Sequence, residues 1–379
     1  MEAAKVLQNP RPDTTGSQPR PALAPAPSPD EKGFLYDDGA PSVFGMIGRT
    51  VSRVTNIAIN QPHLNSPAMP KGVVVSDGRG AVKISTRLLV TEPRPETGVD
   101  PATAANDVLH PGLSEFGDFG SALRLHVAHA ERHPDRRVIT NPTAGVSHGG
   151  KLLSGRELMG RCPEKTARFN LRLLRHVTQD GTIRLMGVSL GSYIATHMAE
   201  QNVGADEAKQ LNIEGLTLIA SAVVALHVDD SENFRDPDLD EDQHRRYLTD
   251  KFIEHIPWDL ARMFRKRPKD TLACVPIVAA YASAPQKLWP RLQAIHADFK
   301  SVQNGAEWSM LKHIAPELMV YVLGGELDPL IIEQIPQWDK LGSIYPGQVR
   351  QRILPDLGHL MTIDAGRTTA ELDELAIAA

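Results

Sequence analysis

Cysteine is nearly absent: two in 379 residues, Cys162 and Cys274, far apart in the chain. Two such residues form neither a disulfide framework nor a zinc ligand set, and they fit a reducing compartment. Long hydrophobic runs are missing too. No stretch of about 18 apolar residues occurs, which argues against a membrane span. The first residues lack the basic-then-apolar layout of a secretory leader, so the cytoplasm is the expected location. Net positive charge is also lacking. A formal charge of −5 removes the electrostatic basis for a nucleic-acid partner. What remains is 41% hydrophobic and 23% charged, the balance of a globular chain. The length suffices for a large core, as one α/β domain with an insertion or as two domains.

Residues 1–40 carry Pro10, Pro12, Pro19, Pro21, Pro25, Pro27 and Pro29 among Ala, Ser and charged residues. With few large apolar side chains to bury, this tail is expected to be disordered. The informative stretch is Thr182–Gln201. Ile183–Met186 is too short and too uniformly apolar for an amphipathic helix and predicts a strand. A tight corner follows, Gly187-Val188-Ser189-Leu190-Gly191, and then a helix with Ile194, Ala195, Met198 and Ala199 on one face. A serine hydroxyl needs a base within hydrogen-bond reach to become a nucleophile. A strained strand-to-helix turn presents such a hydroxyl clear of the backbone, provided very small residues stand two before and two after it. Gly187 and Gly191 meet that requirement. The same turn leaves the Leu190 backbone N–H at a helix N-terminus, where negative charge is stabilised.

On these residues the chain resembles the α/β-hydrolase superfamily, whose Gly-x-Ser-x-Gly elbow is matched by Gly187, Ser189 and Gly191. The resemblance makes Ser189 the candidate nucleophile. Gly145-Val146-Ser147-His148-Gly149 fits the same pattern, but Asn141-Pro142 breaks the strand before it and no convincing helix follows. Ser189 is therefore preferred to Ser147.

The fold implied is a mostly parallel sheet flanked by helices, with a helical cap. Val54–Ile59 is expected as a first strand. Val73–Val75 and Ala81–Ile84 are expected as a hairpin about Asp77-Gly78-Arg79-Gly80. Arg87–Thr91, Arg137–Thr140 and Ile183–Met186 are then strands three to five of the family, alternating with helices Ser121–His133 and Pro163–Val177. In this register Glu92–Gly117 is a loop, and Thr143–Gly150, including His148, is a non-catalytic loop after the fourth strand. In the family the turn after strand three gives the second oxyanion N–H. Pro93 has none to give, so the resemblance points to Glu92 or a neighbour.

Gly215–Val224 is expected as the sixth strand. Beyond it, Asp229–Asp242 carries eight acids in fourteen residues and reads as solvated surface. The segment 226–316 has helix-like patches and no strand period, and about ninety residues is too long for a plain connection. It resembles the family's cap, leaving 41–225 and 317–379 as the core.

Leu318–Leu323 is a buried-type strand ending in Gly324-Gly325-Glu326-Leu327-Asp328. A carboxylate just past a strand end can hold an imidazole in one tautomer, and Gly325–Asp328 matches the family's acid loop. Asp328 is preferred to Glu326, Asp229 and Asp230. Val349–Leu354 is the last strand, and Gly358-His359 on the loop after it resembles the family's catalytic histidine. The order Ser189, Asp328, His359 is the one this fold imposes. The resemblance implies hydrolysis of an ester-type bond in a small-molecule acyl substrate, without cofactor or metal. Thioester or carbon–carbon bond hydrolysis, or ligand binding without turnover, are the alternatives on the same fold.

Overall fold

The structure is a computed structural model that describes residues 66–79, 82–112, 120–141, 147–148, 151–152, 163–178, 181–205, 210–221, 254–255, 257–266, 268–271, 318–328 and 335–377. The tail of residues 1–40, the strand expected at Val54–Ile59 and most of 226–316 lie outside the described residues.

One eight-stranded sheet runs in the order β1-β2-β4-β3-β7-β8-β9-β10. Its members are β1 (Lys71–Arg79), β2 (Val82–Thr91), β3 (Asn106–His110), β4 (Arg137–Thr140), β7 (Ile183–Val188), β8 (Ile213–Ile219), β9 (Met319–Gly325) and β10 (Val349–Leu354). The pairs β1–β2 and β2–β4 are antiparallel. From β4 to β10 every pairing is parallel. Helices α1 (Gly120–Arg132), α2 (Pro163–Leu174), α3 (Leu190–Val203), α4 (Ile335–Ile344) and α5 (Ala365–Ile377) accompany them. Strands β5 (Ser147–His148) and β6 (Lys151–Leu152) form a separate two-stranded sheet.

Both faces of the sheet are covered, which is why its strands read as continuous apolar runs. Alternate side chains serve opposite faces. Val108, Leu185, Leu216, Val320 and Val322 join one cluster with Leu171 and Leu174 of α2 and Ile194, Ala195 and Met198 of α3. Their neighbours Leu109, Met186, Ile219 and Leu323 join a second cluster with Leu125 of α1 and Leu372 of α5.

Two expectations are corrected. Asp77-Gly78-Arg79 belongs to β1, since pairing continues out to Arg79 opposite Val82, and 82–91 is one strand. More consequentially, the third strand is β3, inside the stretch expected to be loop. The strand containing Arg87–Thr91 is therefore the second, and it runs antiparallel to β4.

Candidate active site

In a parallel sheet the carboxyl ends of all strands share one rim, and loops from different strands meet there. Three such loops carry Ser189, Asp328 and His359.

Ser189 stands between β7 and α3 with φ 50° and ψ −117°. An L-residue reaches that region only under constraint, and the surroundings supply it. Its N–H donates to Ile219 O at 2.9 Å, tying the corner to the neighbouring strand end. A Cβ on Gly187 would overlap the Ser192 backbone, and one on Gly191 would overlap the carbonyl oxygens of His110 and Pro111. Chain, helix and the end of β3 thus pass within backbone contact of one another, and a side chain at either glycine would push the corner open. The Leu190 N–H belongs to the first turn of α3, whose leading N–H groups have no partner within the helix. The partial positive charge of the helix end lies beside the serine.

Asp328 follows β9 through a turn closed by its own N–H donating to Gly325 O at 3.0 Å. The histidine loop follows β10. Two backbone bonds lace these loops together, Glu326 N–H to Leu354 O at 2.9 Å and Leu327 N–H to Leu357 O at 2.8 Å. Asp328 is fully buried and His359 is 8% exposed.

The side chains meet in a line. His359 Nδ1 is 2.9 Å from Asp328 Oδ2, and His359 Nε2 is 2.8 Å from Ser189 Oγ. A carboxylate only accepts, so Nδ1 carries the proton and donates to Asp328. Nε2 then presents its lone pair, and the Ser189 hydroxyl donates to it.

Glu92 is not part of this arrangement. It is exposed, and its carboxylate pairs with Arg137 Nε at 2.7 Å, at the amino end of β4. Arg137 pairs with Asn106, which pairs with Ile183 at the start of β7. Ser189 is therefore six strand residues away, roughly 20 Å at the usual rise per residue. The reason is the register: β2 is antiparallel to β4, so the turn after it lies at the opposite rim.

The segment that does stand beside the elbow is His110-Pro111-Gly112, at the carboxyl end of β3. His110 is fully buried, and among the described residues neither ring nitrogen has a hydrogen-bond partner. Burial pushes its imidazole down to about 3, so it is neutral. The signal in the sequence was a strand end running into His-Pro-Gly, hidden because only Val108 and Leu109 are apolar there. Of the rivals, Ser147 lies in β5 and not on a strand-to-helix corner, and Glu326 is exposed. Asp229 and Asp230 lie outside the described residues.

No family model matches this chain, and no curated protein matches it. Solved structures do. The chain is similar to a variant of aCif at 14% identity and a TM-score of 0.54, covering 92% of this chain and 99% of that one. It is similar to Lip1 of Acinetobacter baumannii AYE, which carries a provisional lipase name, at 15% identity and a TM-score of 0.51, over 91% and 100% of the two chains. Cfl2 of Burkholderia cenocepacia matches at 13% identity and a TM-score of 0.50, over 80% and 95%.

Proposed function

For this chain, whose fold is that of the α/β-hydrolases, we propose hydrolysis of an ester-type bond in a small organic substrate through an acyl-enzyme on Ser189. The observation that supports it is the hydrogen-bonded line from Ser189 Oγ through the His359 imidazole to Asp328, with the serine on a strained corner. The provisional lipase name of one structural neighbour agrees with this reading.

In this mechanism the hydroxyl hydrogen bond to Nε2 sets the direction of proton flow. As Oγ attacks the acyl carbon, its proton passes to Nε2. The imidazolium that forms lies against the buried Asp328 carboxylate, which stabilises it and keeps Nδ1–H in place. The carbonyl oxygen takes up negative charge beside the Leu190 N–H at the head of α3. We assign the second oxyanion donor to the segment that follows β3, past Pro111, in place of Glu92. The imidazolium returns its proton to the departing alcohol oxygen, leaving the acyl-enzyme. A water then gives its proton to Nε2 and attacks the same carbon, and collapse releases the acid and restores Ser189. No step calls on a metal or cofactor.

Residues 226–316 are assigned to a helical cap over this site. The described parts of that insert, 254–255, 257–266 and 268–271, are all helical.

A fluorophosphonate probe is expected to label the wild-type protein and to leave Ser189→Ala unlabelled. Wild type, and not the variant, is expected to turn over short p-nitrophenyl esters. Equal labelling of both proteins would overturn the assignment of the nucleophile.

A further inference from the structure

His359 is held at its two ring nitrogens, but a ring is only as well placed as the backbone that carries it. The loop bearing it leaves β10 through Pro355-Asp356, and Asp356 has a positive φ of 64°. Both neighbours of His359 meet one helix that belongs to neither adjoining strand. Residues 257–266 lie in the insert between β8 and β9. Asp259 of that helix is 6% exposed, and its Oδ2 accepts the backbone N–H of Leu360 at 3.0 Å. Its Oδ1 takes the guanidinium of Arg262, one turn on. On the other side of His359, a Cβ on Gly358 would overlap both the Asp259 carboxylate and the Arg262 guanidinium. The pair therefore rests directly on the backbone of the histidine loop, and a side chain at 358 would displace it. Met263, one turn beyond Asp259, is buried with Leu354, Leu357 and Met361, and Lys266 reaches Asp356 at 3.5 Å.

We propose that Asp259 is a positioning residue for His359: its carboxylate binds the backbone N–H on one side of the imidazole, packs against the backbone on the other, and so links the insert to the catalytic line. The inference rests on the serine-hydrolase reading above. A hydrogen bond from a backbone N–H to a carboxylate is stronger than one to a neutral acceptor. Arg262, bound to the other oxygen, fixes the direction in which the carboxylate points. Without the acceptor, the Leu360 N–H is left unsatisfied and the loop relaxes toward other partners. The Nε2-to-Oγ alignment shifts with it. Because the residue touches neither substrate nor the reacting atoms, its loss acts on the rate of the chemical step and not on substrate affinity.

The test is ester kinetics and fluorophosphonate labelling on the whole purified chain, with thermal midpoints measured for each variant. Asp259→Ala is expected to lower kcat on the order of ten- to a hundred-fold, as a loop misplaced by about 1 Å would. KM should stay unchanged and labelling should slow by the same factor. Asp259→Asn keeps an acceptor for the Leu360 N–H and is expected to recover most of that loss. Gly358→Ala is expected to cost rate in the wild-type background and less beside Asp259→Ala, where one of the two side chains it would strike is gone. A folded Asp259→Ala with wild-type kcat overturns the proposal, as does an Asp259→Asn no faster than the alanine variant. Should Asp259→Ala fail to fold, Gly358→Ala alone decides: a wild-type rate there overturns the proposal. Absence of Ser189-dependent labelling in wild type would remove the underlying reading as well, whereas normal labelling with an indifferent Asp259→Ala removes this inference only.

Discussion

Ser189, Asp328 and His359 depend on one another through protonation state as much as through distance. Asp328 is buried and can only accept, so the tautomer of His359 is fixed before any substrate arrives. An asparagine at 328 keeps the shape and removes that rule. Its amide can donate to Nδ1, which moves the imidazole proton to Nε2 and leaves no base facing Ser189. Asp328→Asn is therefore expected to lower kcat by about 10⁴-fold, with KM and the thermal midpoint little changed, in the same ester assay. A loss under ten-fold would mean that the carboxylate does not set the tautomer. At this scale the sequence was informative because each side chain sits in a short local pattern: Gly187-x-Ser189-x-Gly191, Gly325-x-x-Asp328, Gly358-His359. The proposed oxyanion donors are harder to read. Leu190 is a candidate only because the elbow fixes its N–H. The proposed second donor is backbone with no side-chain signature, so its placement depends wholly on the order of the strands.

That count failed at β3. Three of its five residues, Asn106, Asp107 and His110, are polar yet completely buried. No apolar run announces such a strand, because tertiary partners take up the Asn106 amide N–H groups and the Asp107 carboxylate. The Asn106 amide donates to Ala104 O, Thr178 O and Thr182 O. Asp107 accepts from His129 Nε2 at 2.7 Å and from Arg136 Nε and Arg184 Nε at 2.9 Å each. Those partners come from α1, the turn before β4, and β7, none of them adjacent in sequence. Strands β7 and β9 and helices α1 to α3 were legible because their burial is largely apolar. Asp107 also fixes how α1 packs on the sheet. Burial pushes its carboxyl up, but Arg184, His129 and Arg136 outweigh this and hold it well below the usual carboxylate range. Its stabilisation is thus present above the unfolded-state value near 4 and lost as pH falls through the folded value. Asp107→Ala leaves two guanidinium groups facing a buried gap and is expected to cost about 3 kcal/mol. Urea unfolding at neutral pH measures this, and a cost below about 0.5 kcal/mol, the range of ordinary surface substitutions, would show that the arginines find solvent instead.

Across the molecule three histidines, His110, His126 and His133, act with the same sign. Burial pushes His110 down to about 3. Burial, with help from His129, does the same to His126, whose Nε2 donates to Thr91 Oγ1 and whose Nδ1 accepts from Thr140 Oγ1. That tautomer follows because the Thr91 hydroxyl already donates to Ala68 O. Burial also lowers His133. In the unfolded chain all three titrate near 6.5. At His110 and His126, between about pH 6.5 and 3, the unfolded state therefore binds protons that the folded state refuses, and stability falls as pH falls; His133 acts in the same direction. Above about 6.5 both states are neutral at these positions and they contribute no slope. Each histidine that stays neutral adds about 1.4 kcal/mol per pH unit to the acid-side slope. His110→Met removes one such group, which has no hydrogen bond to lose among the described residues. Urea unfolding free energies measured from pH 7.5 down to 4.5 are expected to fall for both proteins, and less steeply for His110→Met by about one proton's slope. The slope is the readout, so a change in stability at pH 7.5 from packing alone does not affect it. Parallel curves for the two proteins would mean that His110 takes up a proton in the folded state, and that the end of β3 beside the elbow opens to water.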